Sequence, residues 1–167
     1  MEFKPSKIKR DGIIITFVLF ISAFIFYILL AFDVGFSIVN QIGMVVLFAC
    51  AIIILIRFVL VDFVYKINED GYLTIHRVYG RNSKMLADIK ISADDSAVLG
   101  KSEIDKRGKP DVKENFASSM FPQSVIGYYF MSGGKRHLVI LEGGRDLFEV
   151  LKEAIKKYGK NDSEENG

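Results

Sequence analysis

The sequence is poor in the residues that most often carry chemistry. Among 167 residues there is one cysteine, Cys50, and there are two histidines, His76 and His137. A single thiol permits no intrachain disulfide, and its place in an apolar run leaves the polar part of the chain without a thiol, as in a reducing, cytosolic compartment. A metal site needs about three or four converging ligands, and neither histidine has a cysteine or carboxylate cluster near it in sequence. We therefore expect no metal and no cofactor.

Recognisable catalytic motifs are also missing. Adjacent carboxylates occur at 69–70 and 94–95, in predicted turns where such side chains bond nearby amides. The serines lack a nucleophile-elbow pattern, and the glycine pairs at 133–134 and 143–144 lack the signature of a phosphate loop. A net charge of +2 is too small to indicate a nucleic-acid partner. We predict that the protein is not an enzyme and binds no nucleic acid.

Charge is almost absent between residues 12 and 55. Two apolar runs, at about 12–32 and 38–61, are each close to the about 20 residues that a helix needs to cross a bilayer. Between positions 12 and 55 the only charged side chain is Asp33, in the short connection, so a pore or carrier is disfavoured. The first run is too long for the core of a cleaved signal and has no cleavage pattern after it. The two runs predict a retained helical hairpin in the membrane.

Cations predict the orientation of this hairpin. They lie on both sides of the apolar runs and are missing from the connection between them: Lys4, Lys7, Lys9, Arg10, Lys66, Arg77, Arg81 and Lys84. Because lysine and arginine are retained on the cytoplasmic side, both termini should be cytosolic. We expect a multi-pass protein of the inner (cytoplasmic) membrane, with a basic amino terminus at 1–11 and a soluble domain at 62–159. The polar segment 160–167 is predicted to be disordered.

Short alternating segments dominate the region after the second apolar run. DFVYKIN and YLTIHRVYG flank an Asp-Gly turn, which is typical of a β-hairpin, with Leu73, Ile75 and Tyr79 predicted to share one face. Further strands are predicted at MLADIKI and AVLGKSEI, with a turn at SADDS between them, and a long mobile loop at 101–122. IGYYFMS and RHLVILE predict a second hairpin, and RDLFEVLKEAIKKY predicts an amphipathic helix that stops at Gly159.

The combination of YLTIHRVYG, MLADI and YYFMSGGKRHLVILEGGRDLFEVLKEAI resembles the bacterial pleckstrin-homology-like (PH-like) domains of small membrane proteins with two amino-terminal spans. The resemblance implies an α+β soluble domain. This would be a partly open β-barrel of about seven antiparallel strands in two packed sheets, closed at one end by the carboxy-terminal helix. PH-like folds serve as binding platforms for lipids, peptides or proteins, so the fold by itself selects no ligand.

The favoured interpretation is a non-catalytic binding or scaffolding module that meets a protein or peptide partner at the cytosolic membrane surface. An anionic-lipid sensor and an accessory subunit of a transporter or envelope complex are the alternatives. The candidate surface for a lipid or a partner consists of five cations: Lys101, Lys106, Arg107, Lys109 and Lys113. Interleaved carboxylates, among them Glu103 and Asp111, favour a solvated loop instead.

Overall fold

The computed structural model describes residues 1–5, 9–32, 37–91, 96–104 and 106–158. The chain divides into two compact units. One comprises Ile8–Val61 with Ser119–Phe121, and the other comprises Met1–Lys7, Asp62–Ser118 and Pro122–Gly167. We call them the helical unit and the sheet unit. The predicted connection at 33–36, the turn at 92–95 and the segment 159–167 lie outside the described residues.

The helical unit contains helices α1 (Lys9–Ala31) and α2 (Ser37–Ile54), and α2 continues into a π-helical turn at Leu55–Leu60. Both spans, 23 and 24 residues long, are long and apolar enough to cross a membrane. Their side chains are mostly exposed, with only 11% and 6% of the most apolar windows buried. Helices that are apolar all round and uncovered by protein match a lipid environment better than a soluble core.

Gly43 allows α1 and α2 to pack closely. A Cβ atom at Gly43 would lie 2.9 Å from Cε1 of Phe26, so the aromatic ring occupies the space that a side chain would fill. Phe20 and Phe48 meet edge to face, with ring centroids 5.4 Å apart. Of the small residues in the second apolar run, Gly43 lies in this contact, whereas Cys50 is exposed.

The first sheet of the sheet unit has the order β1-β2-β3-β4. Its strands are β1 (Glu2–Phe3), β2 (Val61–Ile67), β3 (Tyr72–Tyr79) and β4 (Asn82–Lys90). Gly71, with φ of +78°, closes the β2–β3 turn, and a Cβ there would lie 2.8 Å from Cγ of Tyr158. The predicted hairpin is confirmed. Leu73 and Ile75 are buried, whereas Tyr79, at the end of β3, is 51% exposed. Between the Ile75–Ala87 and His76–Met85 pairs the register advances one position on β3 and two on β4, so β4 carries a β-bulge at Leu86.

The second sheet has the order β5-β7-β8-β6. Its strands are β5 (Ala97–Gly100), β6 (Val112–Asn115), β7 (Val125–Ser132) and β8 (Lys135–Glu142). The predicted β7–β8 hairpin is confirmed, and its turn residues Gly133 and Gly134 have positive φ values of 56° and 74°, as a tight two-residue connection requires. Tyr128 and Leu141 are fully buried on one face of this hairpin, and Tyr129 and Leu138 are buried on the other.

One prediction between residues 97 and 122 is confirmed in part, and a second is wrong. The strand predicted at AVLGKSEI ends at Gly100, and the short helix α3 (Lys101–Ile104) follows because the Glu103 carboxylate accepts a hydrogen bond from the Gly100 N–H at 3.0 Å. The predicted mobile loop contains α3 and β6. Strand β6 pairs in parallel with β8, and the Phe116 N–H donates to the Ile140 carbonyl at 2.9 Å.

Helix α4 (Arg145–Tyr158) follows β8 almost directly and is confirmed as an amphipathic helix. It buries Leu147, Leu151 and Ala154, one apolar stripe at helical spacing. The sheet unit is therefore an α+β region. Within the described residues its eight strands form two four-stranded sheets rather than a closed barrel, and β6 departs from the expected antiparallel order. The PH-like architecture stays a prediction.

Candidate functional site

The five predicted cations lie along an ordered and exposed segment of the sheet unit. Lys101 opens α3, Lys113 is on β6, and Lys106 and Lys109 lie between these elements. The Arg107 guanidinium carbon lies 5.1 Å from the centre of the Tyr129 ring, a cation–π contact that holds this side chain against the second sheet. The structure thus places the five residues on α3, on β6 and in the connection between them, and it gives Arg107 a packing role.

Apolar packing and ion pairing fix this segment. Ile104 fills the space above Gly127, where a Cβ would lie 2.9 Å from Cγ1 of Ile104. Asp111 accepts a hydrogen bond from the Arg136 backbone N–H at 2.8 Å and forms an ion pair with its guanidinium at 3.5 Å. The Arg136 backbone hydrogen bond is the main cause that lowers the pKa of Asp111 below its ordinary value of 3.8. These interactions order the segment without gathering its cations into one cluster.

A buried polar cluster joins β2 to β8 and to the end of the β6 segment. The Tyr65 hydroxyl donates to the Phe116 carbonyl at 2.8 Å and accepts from the Glu142 N–H at 3.1 Å. The Ser118 N–H donates to the Glu142 carboxylate at 2.8 Å, and its hydroxyl accepts from the Phe63 N–H at 3.1 Å. Because these buried groups satisfy one another, the cluster has a structural role. Sequence reasoning missed it because its members are up to 77 positions apart.

The outer end of the β3–β4 hairpin, which is the end at the β3–β4 turn, combines positive charge with exposed apolar surface. Sequence reasoning used Arg77, Arg81 and Lys84 only for orientation. The structure adds Tyr79 and Leu86, which are 51% and 43% exposed. Met85 is also exposed. The signal in the sequence was the stretch 76–87, HRVYGRNSKMLA, which has no carboxylate.

β4 forms one end of the first sheet. It is nine residues long and pairs with β3, which leaves its other backbone edge without a neighbouring strand in the part of the chain that the structure describes. Most of its side chains are exposed, the exceptions being Ala87 and Ile89. The terminal strands of the second sheet, β5 and β6, have four residues each. β4 is thus the longest terminal strand in the described residues.

The histidines occupy ordinary positions on strands. His76 Nδ1 lies 3.4 Å from the Ser83 hydroxyl, and the His137 ring stacks on Phe130 with centroids 5.1 Å apart. Across the described ranges, no group of three or more histidine, cysteine, aspartate or glutamate side chains is placed to hold a metal ion. That the protein uses no metal and catalyses no reaction stays a prediction.

Comparison with protein-family models, with curated proteins and with solved structures gives no match to this chain. The functional argument accordingly rests on the geometry of the chain itself.

Proposed function

We propose that the chain is a membrane-anchored, non-catalytic binding or scaffolding module whose sheet unit meets a protein or peptide partner at the cytosolic membrane surface. Two helices of membrane-spanning length support the anchor. The cations that flank them support a cytosolic sheet unit, in accord with the positive-inside rule. Anchoring restricts the partners to proteins at or near the same membrane.

The open edge of β4 is the observation that carries this proposal. A terminal strand offers a row of backbone N–H and C=O groups to which an extended peptide can add as a further strand. Proteins that avoid such pairing shorten, bulge or charge their terminal strands. β4 has nine residues and carries both a bulge and the cations Lys84 and Lys90. Between these features, Ala87, Asp88 and Ile89 pair regularly with β3, and we propose that the added peptide pairs with this stretch.

Site-specific photocross-linking in native membranes tests this proposal. A photoreactive residue in place of Asp88, on β4, should give a discrete cross-linked product, because an added strand would lie about 5 Å away. The same residue in place of Lys156, exposed on α4, is the matched control. Equal cross-linking from the two positions, or none from Asp88, would contradict strand addition at β4.

Lipid sensing through Lys101, Lys106, Arg107, Lys109 and Lys113 is the second candidate function, and the observation in its favour is that all five side chains are exposed. Replacing Lys106, Lys109 and Lys113 by glutamine in the reconstituted chain should then weaken its response to anionic lipid. An unchanged response would dismiss this candidate.

For the accessory-subunit alternative, Cys50 provides a test because it is exposed on α2. Disulfide cross-linking there distinguishes a second copy of the chain from a different protein.

A further inference from the structure

The outer end of the β3–β4 hairpin extends past the packed core. Along β3, Leu73, Thr74 and Ile75 are buried, whereas Arg77 and Tyr79 are exposed. The facing part of β4, from Asn82 to Leu86, is exposed at every position. We call Arg77, Tyr79, Arg81, Lys84 and Leu86 the basic hairpin end.

The cations of the basic hairpin end repel one another in the folded chain. The β3–β4 register places Arg77 directly opposite Lys84. Like charges at such a cross-strand position are destabilising. Arg81 adds a third cation in the turn between them, and the stretch 76–87 contains no carboxylate. An anionic ligand at this end would attract all three cations and so offset their mutual repulsion.

The apolar members indicate which anion. Tyr79 and Leu86 are exposed beside the cations, and Met85 is 54% exposed. Tyrosine is enriched at the headgroup level of bilayers, where its ring contacts lipid and its hydroxyl contacts water. Arginine and lysine lay their aliphatic stems on apolar surface while their charges stay in the headgroup layer. Cations combined with an exposed aromatic and aliphatic surface fit a lipid interface better than a soluble anion.

Chain connectivity joins this end of the sheet directly to the apolar helix. β2 begins at Val61, directly after the last helical residue, Leu60. β3 follows β2 through a tight turn and runs back beside it, so the β3–β4 turn lies at the end of the sheet where β2 begins. That end is tethered to the apolar helix by the shortest connection the chain allows.

We propose that the basic hairpin end docks into the headgroup layer of a bilayer that contains anionic phospholipid. Arg77, Arg81 and Lys84 contact lipid phosphates, and Tyr79 and Leu86 enter the interface. This proposal goes beyond strand addition at β4. It depends on the membrane anchor, but the binding of a protein partner is not part of it.

The chain has no tryptophan, so a single fluorophore can be introduced at will. Tyr79→Trp places one at the basic hairpin end, and Tyr72→Trp places one at the opposite end of β3 as the matched control. The full chain is reconstituted in nanodiscs of brominated phosphatidylcholine, alone or with phosphatidylglycerol as about one lipid in three, to supply anionic charge. Quenching by bromine reports contact with lipid, and a blue-shifted emission reports loss of water.

The tryptophan of Tyr79→Trp should be quenched and blue-shifted in the anionic nanodiscs, and more weakly so at high salt. Three cations near an anionic surface should raise the ratio of docked to undocked hairpin by about a hundredfold, and Lys84→Gln should lower it about fivefold. Lys156→Gln, which removes an exposed cation from α4, should leave the ratio unchanged. The tryptophan of Tyr72→Trp should not respond to lipid charge.

Three outcomes would overturn the proposal. If emission from Tyr79→Trp resembles that of a fully hydrated indole in both lipid mixtures, the hairpin end does not reach the bilayer. Equal quenching in both mixtures would mean contact without recognition of negative charge. A blue shift without quenching would mean that protein, such as a second copy of the chain, covers the hairpin end instead of lipid.

Discussion

The Glu142 carboxylate accepts a hydrogen bond from the backbone N–H of Ser118 at 2.8 Å, across 24 positions of sequence. Both residues are buried, and each belongs to the polar cluster that also contains Tyr65. This contact fixes the segment after β6 against the end of β8, just before α4 begins. It links the parallel strand that sequence reasoning missed to the hairpin that it found.

Replacing Glu142 by leucine should destabilise the sheet unit by about 1–3 kcal/mol, because the buried Ser118 N–H would lose its acceptor. Glu142→Gln keeps an acceptor oxygen and should cost less. Thermal unfolding of the full chain in detergent, followed by near-ultraviolet circular dichroism, gives the comparison. If both variants melt together with the wild type, the Ser118–Glu142 hydrogen bond contributes nothing to stability.

Gly127→Ala should detach α3 from the second sheet. The added Cβ would lie 2.9 Å from Cγ1 of Ile104 and 3.0 Å from Cδ1 of Leu138, and overpacking of this kind costs about 1–3 kcal/mol. Faster tryptic cleavage after Lys106 and Arg107 would report the release. Gly144→Ala is the control, since a Cβ there meets no atom within 4 Å. Combining Gly127→Ala with Ile104→Ala should restore resistance to trypsin, and failure of this rescue would rule out the proposed clash.

The start of the β6–β8 pairing should weaken in acid. The backbone N–H and guanidinium of Arg136 lower the pKa of folded Asp111 below its ordinary value of 3.8. A carboxyl with a depressed folded-state pKa adds stability that is complete above its unfolded-state pKa and disappears as the pH falls through the folded-state pKa. Amide exchange of Arg136, corrected for the intrinsic pH dependence, should therefore accelerate in this range. Asp111→Asn should remove the pH dependence; its persistence in that variant would assign it to another group.

The proposed orientation predicts which positions are accessible from outside the cell. With Cys50 replaced by alanine, an impermeant maleimide added to intact cells should label Ser37→Cys, at the start of α2. It should leave Ser132→Cys, in the β7–β8 hairpin, unlabelled until the cells are opened. The reverse pattern would place the sheet unit outside and overturn a cytosolic partner.

Elements with a strong local signal could be predicted from sequence. Asp70-Gly71 and Gly133-Gly134 marked two hairpins because their flanking strands alternate and glycine accepts a positive φ. Leu147, Leu151 and Ala154 marked α4 by their spacing. Strand β6 has the sequence VKEN and a half-exposed valine as its only apolar residue. Its pairing comes from β8 and from the Asp111–Arg136 contact, so no local pattern could have revealed it.

For the candidate surfaces as well, the sequence revealed the charged residues, whereas the tertiary structure revealed their contacts. The sequence showed the cations of the segment 101–113, but Arg107 uses its charge on the Tyr129 ring and Asp111 is bonded to Arg136. The sequence showed Arg77 and Lys84 as separate charges. Only the β3–β4 register places them opposite each other, beside an exposed Tyr79.

The order of residues by itself determined two apolar helices long enough to cross a bilayer, two hairpins and a closing amphipathic helix, because each depends on periodicity and turn chemistry within about 20 neighbouring residues. Tertiary structure decided the parallel pairing of β6, the burial of Glu142 and the juxtaposition of like charges at the basic hairpin end. These features require strands from distant positions to lie side by side, and their register is set by the packing of the whole sheet unit.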